Sequence, residues 1–317
     1  MRPCDQALGE PSLACRALRA WLNRPMAHSY QAARPSHSPS RDASVVVSNG
    51  RRVQIAEWGP SDGLPLLFLH CTPGSRLLCP DLAATEAAGI RHLSIDRPGY
   101  GRSEPFPGLL TNTTVTVDII QVLDQLNLER VAVVGWSGGG RYALALGALA
   151  PDRVTTIAVV CGAAEPATEL DDPPEVIALA RQVAGDPVGY RDAVRDRCRW
   201  LADDPHLLLR LTERFAPEVL AASGMREAFV AWMDEAAVRS IEGYVDDWIS
   251  DAVGWGFTLD QVVVPVHSWY GELDRIVGRH HAQLHAEFIP VCELHGCPQC
   301  GHFVSIAHWP EILDQLG

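Results

Sequence analysis

Three residue types at three places in this sequence could together carry out acyl transfer: a serine in a glycine-flanked turn, a late histidine, and an acid between them. Ser137 lies in Gly135-Trp136-Ser137-Gly138-Gly139, a G-x-S-x-G match. The pattern alone is weak, and the chain contains a second match, Gly59-Pro60-Ser61-Asp62-Gly63. No helix follows that one, so it reads as a loop turn. Ser137 has the buried strand RVAVV before it and the helix GRYALALGALA after it, stopped by Pro151. A serine in such a turn holds its hydroxyl above the sheet, and the small Gly135 and Gly139 relieve crowding beside a strained backbone. The helix N-terminus adds oriented N–H groups and a positive dipole end that favour an oxyanion. The competing role, a helix N-cap, is the ordinary one for an isolated serine before a helix.

A neutral serine hydroxyl is a poor nucleophile near pH 7. A histidine must take its proton, and a carboxylate must hold that histidine in the right tautomer. With the acid expected before the histidine in the chain, Asp274 and His302 fit. Asp274 follows the strand VVVPVHSWYGE, and His302 stands in Cys300-Gly301-His302-Phe303 after the last strand. Glu272 is the fallback acid. A second backbone donor for the oxyanion must come from the loop after the strand PLLFLH, which reads His70-Cys71-Thr72-Pro73-Gly74-Ser75. Thr72 N–H together with Gly138 N–H is the expected pair. His70 then braces the loop. Cys71 and Trp136, beside these backbone groups, are expected to shape the acyl side of the pocket. Arg141, one turn past the nucleophile, reads as a helix-surface or salt-bridge residue.

The elements that must hold these residues follow from periodicity. Two strands, SVVVS and RVQIAEW, flank Asn49-Gly50, a strong hairpin signal. Four apolar runs, PLLFLH, RHLSID, RVAVVGWS and VTTIAVVCG, alternate with helical segments near 80–89, 112–127 and 139–150. That alternation predicts a parallel sheet with crossover helices. From about 163 to 256 the chain becomes helix-forming and acidic, opening EPATELDDPPE and carrying Trp200, Trp232, Trp248 and Trp255. This is the expected cap, its tryptophans read mainly as packing residues. The strand–helix rhythm then resumes, with a helix at 279–288, a strand near 291–295 and a last helix from about Phe303.

Four motifs, HCTPGS, DRPGYGRS (Asp96 to Ser103), GWSGGG and GELD with a late GH, come in this order and span nearly the whole chain after residue 43. In them the chain resembles the α/β-hydrolase superfamily, in its capped, esterase-like and peptidase-like branch. The resemblance implies an α/β fold with a mostly parallel eight-stranded sheet, helices on both faces and a helical cap insertion. The expected organisation is a disordered extension over 1–42, a core over 43–162 and 257–317, and a cap over 163–256. Relatives usually have His-Gly where this chain has His70-Cys71, so the loop must accommodate a Cβ. Members with an aspartate at the elbow, haloalkane dehalogenases and epoxide hydrolases, are excluded by Ser137. Proline iminopeptidases look similar around the first loop, but theirs reads H-G-G-P-G.

Composition narrows the rest. The 39 acidic against 26 basic residues give a net charge of −13, which argues against a phosphate-binding surface and for a small-molecule partner, with no nucleic acid and no membrane. Every basic residue is arginine, which excludes Schiff-base chemistry on lysine. Nine scattered cysteines and an N-terminus without an apolar signal core point to a cytoplasmic protein. A short helix at Cys15 to Leu22 and an alternative start at Met26 are compatible with the first segment. No cofactor and no metal is expected. His280, His281 and His285 read as a solvated helix face. Cys297-Pro298-Gln299-Cys300, with His302, Cys292 and His295 nearby, could nominally make a zinc set, but His302 would then be lost as a base; a local redox-sensitive pair is a further reading, and ordinary loop cysteines the preferred one. The expected activity is hydrolysis of a small-molecule carboxylic ester through an acyl-enzyme on Ser137. A proline-iminopeptidase-like peptidase, a carbon–carbon bond hydrolase and a cofactor-free perhydrolase are the alternatives. A non-catalytic receptor or interaction protein of the same fold is the reading from another class.

Overall fold

The structure, a computed structural model, describes residues 38–164, 174–221 and 224–317. The readings for residues 1–37, including the Cys15–Leu22 helix and the Met26 start, lie outside the described residues, as does the acidic run 165–173.

One eight-stranded sheet organises the chain. Its strands are β1 (Arg41–Val46), β2 (Arg52–Trp58), β3 (Leu64–Leu69), β4 (Ile90–Ile95), β5 (Val131–Trp136), β6 (Val154–Val160), β7 (Val266–Gly271) and β8 (Cys292–Cys297). They lie in the order β1-β2-β4-β3-β5-β6-β7-β8. β2 is antiparallel to β1 and β4, and every other pair is parallel. The Asn49-Gly50 hairpin forms as expected, with Gly50 at φ 81°. β1 opens at Arg41, two residues inside the expected extension, and Asp42 binds the buried Arg76 guanidinium at 2.8 Å.

The central strands are buried on both faces, and side-chain alternation sends them into two cores. Leu67, Leu69, Val131 and Val133 enter one core, with the helices Asn112–Gln125 and Gly139–Leu149. Leu66, Phe68, Ala132, Val134 and Trp136 enter the other, with the C-terminal helices Val304–Ala307 and Trp309–Asp314. Between β6 and β7 the chain is helical, at Pro174–Gly185, Arg191–Cys198, Trp200–Asp203, Leu207–Phe215, Met225–Ala236 and Glu242–Ala252. No helix among the described residues is long and apolar enough to cross a membrane.

The solvated-face reading of the Arg279–Phe288 helix is corrected: His281 is 4% and His285 0% exposed. Apolar helix faces are not the only ones buried here. His281 Nδ1 accepts from Ala164 N–H at 3.1 Å, and His285 meets Ser268 Oγ at 2.9 Å and Ala163 O at 3.3 Å. These bonds satisfy the rings, which a sequence pattern does not reveal.

Burial keeps several histidines neutral. It pushes His285 down to about 4 and His92, packed among Trp58, Phe68 and Trp309, down to about 3. Both folded-state values lie below the unfolded value near 6.5. Their contribution to stability is therefore fully present above about pH 6.5 and is lost as the pH falls toward 3–4, at about 1.4 kcal/mol per pH unit for each ring. Urea unfolding at pH 7.5 and 5.0 should show stability falling on acidification. His92→Phe should flatten that dependence by about one ring's share; an unchanged slope would contradict the assignment.

Candidate active site

The expected site residues are delivered by the carboxyl ends of neighbouring parallel strands, where an α/β sheet places its ligand-handling groups. Ser137 follows β5 directly, with φ 54°, a left-handed conformation that costs a non-glycine residue on the order of 1–3 kcal/mol. Two backbone bonds hold it there: Ser137 N–H donates to Val160 O at 2.8 Å, and Gly140 N–H donates to Ser137 O at 2.8 Å. The flanking glycines are required by close approach. A Cβ on Gly135 would stand 2.6 Å from Gly139 O, and one on Gly139 would collide with the Leu69 carbonyl of β3.

Asp274 and His302 meet as expected. His302 Nδ1 lies 2.8 Å from Asp274 Oδ2. Asp274 Oδ1 accepts from the backbone N–H groups of Ile276 (2.8 Å) and Val277 (3.1 Å), which leaves Oδ2 aimed at the ring. A carboxylate in this position favours the tautomer that carries its proton on Nδ1. Burial keeps the Cys161 thiol beneath the pair far above its usual range, so it is neutral. Glu272, the fallback acid, instead pairs with Arg279 at 3.5 Å. Ser137 Oγ makes no hydrogen bond to His302 in this geometry, a contact that in unliganded sites often tightens only with substrate.

The loop after β3 packs on the elbow: a Cβ on Gly138 would run into Thr72, so Thr72 and Gly138 are adjacent. His70 is fully buried; its Nε2 accepts from Arg97 N–H at 3.3 Å and its Nδ1 faces Cys71 O at 2.7 Å. Burial, and then the Arg97 charge, hold its pKa well below the ordinary value. It is a neutral brace. Cys71 Sγ reaches Pro73 O at 3.1 Å, so the Cβ that replaces the usual glycine hydrogen is accommodated inside the loop.

A half-open cavity of about 460 Å³, open solvent at its mouth included, is lined by Thr72, Ser137, Gly138, Arg141, Asp247, Trp248, Asp251 and Trp255, with Ala163. One sequence expectation changes here. Cys71 and Trp136 do not line it. Trp136 stacks on Trp232 with ring centroids 5.8 Å apart and donates from Nε1 to His302 O at 3.0 Å, bracing the His302 backbone. Of the two readings of Arg141, the salt-bridge one holds: it is 5% exposed, lines the cavity and pairs with Asp251 at 3.1 Å. Trp248 and Trp255 are cavity walls, whereas Trp200 and Trp232 are packing residues.

The sequence reading missed Asp247, on the Glu242–Ala252 helix. Its Oδ2 accepts from Arg97 (2.6 Å), Thr72 Oγ1 (2.7 Å) and Tyr100 OH (3.0 Å). Its Oδ1 accepts from Tyr142 OH (2.6 Å) and lies 3.4 Å from Arg141. Burial alone would raise this carboxyl, but Arg97 and Arg141 outweigh it and hold the group far below the usual carboxylate range. Within a formally acidic segment, nothing in the sequence separates Asp247 from the neighbouring Asp246; only the fold brings Arg97, Tyr100 and the Arg141-Tyr142 pair to one point.

A family model described as alpha/beta hydrolase fold matches residues 65–308. The chain belongs to the α/β-hydrolase fold family. This α/β hydrolase is 27% identical over 297 residues to 2-hydroxymuconate semialdehyde hydrolase of Pseudomonas sp. strain CF600, covering 89% of this chain and 95% of the relative. It is 32% identical over 133 residues to proline iminopeptidase of Neisseria gonorrhoeae, covering 39% of this chain and 40% of that protein. Among solved structures, a thermophilic esterase from Thermogutta terrifontis superposes with a TM-score of 0.61 at 21% identity, over 87% of this chain and 96% of that one.

Removing the Asp247 carboxylate leaves Arg97 and Arg141 buried without their shared counter-charge. Asp247→Ala should therefore destabilise the fold by about 3–5 kcal/mol in urea unfolding, the range for breaking a buried pair. A loss near zero would contradict its central place.

Proposed function

We propose that this α/β hydrolase cleaves a small-molecule carboxylic ester by acyl transfer to water, with Ser137 as nucleophile, His302 as general base and Asp274 as the orienting acid. The observation that carries this is the His302–Asp274 hydrogen bond, whose carboxylate is aimed by two backbone donors, on the loops beside a serine held in a left-handed elbow. The segment 163–256 acts as the cap over the pocket through its described helices.

In this mechanism Ser137 Oγ attacks the substrate carbonyl carbon while His302 Nε2 takes its proton. The carbonyl electron pair moves onto oxygen, which accepts from Thr72 N–H and Gly138 N–H. As the tetrahedral species collapses, the C–O bond to the leaving alcohol breaks and His302 returns the proton to it. Water then attacks the acyl-enzyme, again losing a proton to His302, and the acid leaves as Ser137 regains its proton. The imidazolium formed in each half is stabilised by Asp274. No step needs a metal or cofactor.

A second reading, cleavage of a carbon–carbon bond beside a ketone by the same serine, is favoured by the similarity to 2-hydroxymuconate semialdehyde hydrolase along 95% of that protein. Steady-state rates on a series of p-nitrophenyl esters and on 2-hydroxymuconate semialdehyde separate the two. Ester turnover should exceed turnover of the semialdehyde, and Asp274→Asn should lower kcat on the order of 10³–10⁴-fold by presenting the wrong tautomer. Turnover of the semialdehyde alone would replace the ester reading with the second one, and full ester activity in Asp274→Asn would contradict the triad.

A further inference from the structure

The turn that leads into His302 carries two thiols that the proposed hydrolysis does not use. Cys297 ends β8, Cys300 follows in the next turn, and both are buried, at 4% and 5% exposure. The sequence grouped them with Cys292, His295 and His302. The fold groups them differently: Cys292 stands at the other end of β8, and His295 stacks on Trp269 and meets His267 at 3.0 Å. His308, between the two C-terminal helices, takes their place, with its Nε2 3.2 Å from Cys300 Sγ.

We propose that Cys297 Sγ, Cys300 Sγ and His308 Nε2 form a site for a thiophilic divalent metal ion of the zinc type, with a solvent molecule as fourth ligand. The three ligand atoms lie within 4.8 Å of one another. Tetrahedral zinc, with Zn–S near 2.3 Å and Zn–N near 2.0–2.1 Å, needs such atoms roughly 3.5–3.8 Å apart. The site therefore closes by side-chain adjustments within the present backbone. That backbone is already fixed: Cys300 N–H donates to Cys297 O (3.2 Å), and Glu272 and Leu273 N–H donate to Cys297 O (3.1 Å) and Cys300 O (3.0 Å).

Two further features fit a metal ligand set. His308 presents Nε2 to the thiols while its Nδ1 lies 3.4 Å from Glu311 Oε1, the carboxylate–histidine arrangement that orients a metal-bound imidazole. Two thiolates with one imidazole select zinc-like ions over magnesium or calcium. With His308 as third ligand, His302 stays free, so the conflict between a metal site and the catalytic base disappears. On binding, the two thiols lose their protons to solvent and no oxidation takes place. The bound ion would tie the turn Cys297–Cys300, two residues from His302, to the C-terminal helices.

The test uses the full chain, kept reduced, titrated with cobalt(II) and zinc(II). Cobalt should give a thiolate charge-transfer band saturating at one equivalent per chain, displaced by zinc. Cys300→Ser should abolish the band, and Glu311→Gln should weaken binding about 10–100-fold with the band retained. Circular dichroism of each variant identifies any that fail to fold, and the wild-type titration decides the matter without them. No thiolate band in folded, reduced wild-type protein, or a band that persists in folded Cys297→Ser/Cys300→Ser, would overturn the site.

Discussion

The buried carboxylate of Asp247 is the interaction on which the arrangement of the site depends. Four parts of the chain that are distant in sequence meet on its two oxygens: the loop after β3 through Thr72, the loop after β4 through Arg97 and Tyr100, the helix after Ser137 through Arg141 and Tyr142, and the helical segment between β6 and β7 that carries Asp247 itself. A charge taken out of water is costly unless it is paired and hydrogen-bonded, so none of these parts can shift alone without exposing an unmet charge or donor. Arg97 extends the constraint, donating also to His70 O, Cys71 O and Thr72 Oγ1. The backbone proposed to bind the oxyanion is thus held by this network, and the cavity wall is held by the same carboxylate.

A second charged cluster adds a further tie. The fully buried Arg76 guanidinium joins Asp42 of β1, Asp96 at the end of β4, and Glu235 of the Met225–Ala236 helix. Together the two clusters fix the helical segment to the sheet at two separated points. The strain stored at Ser137 persists under this kind of over-determination: the backbone bonds to Val160 and Gly140 and the packing of Gly139 against β3 leave the elbow no relaxed alternative.

Much of this was legible in the sequence, for definite reasons. Strands buried on both faces read as unbroken apolar runs, so β3 to β6 fell within a residue or two of their observed limits. The pairing of Asp274 with His302 followed from chain order and from the position of each just past a strand. What could not be read was side-chain direction. Trp136 is adjacent to Ser137 in sequence, yet the alternation of β5 sends it to the opposite side, under His302 and away from the cavity. His285 looked solvated because polar residues usually are; Ser268 and the Ala163 carbonyl, which satisfy it, come from β7 and the chain beyond β6. Asp247 could not be told from its acidic neighbours, nor the burial of Arg141 foreseen, since a sequence shows a charge but not the partner that permits its burial.

The central claim is that Ser137 is an activated nucleophile, and its most direct test is covalent. Purified protein would be treated with a fluorophosphonate and the modified peptide located by mass spectrometry, with Ser137→Ala and His302→Ala as controls. The account predicts one label, on Ser137, absent from both variants. Absence of labelling in folded wild-type protein, or labelling of another residue that survives in Ser137→Ala, would contradict it and leave a non-catalytic member of the fold as the better description.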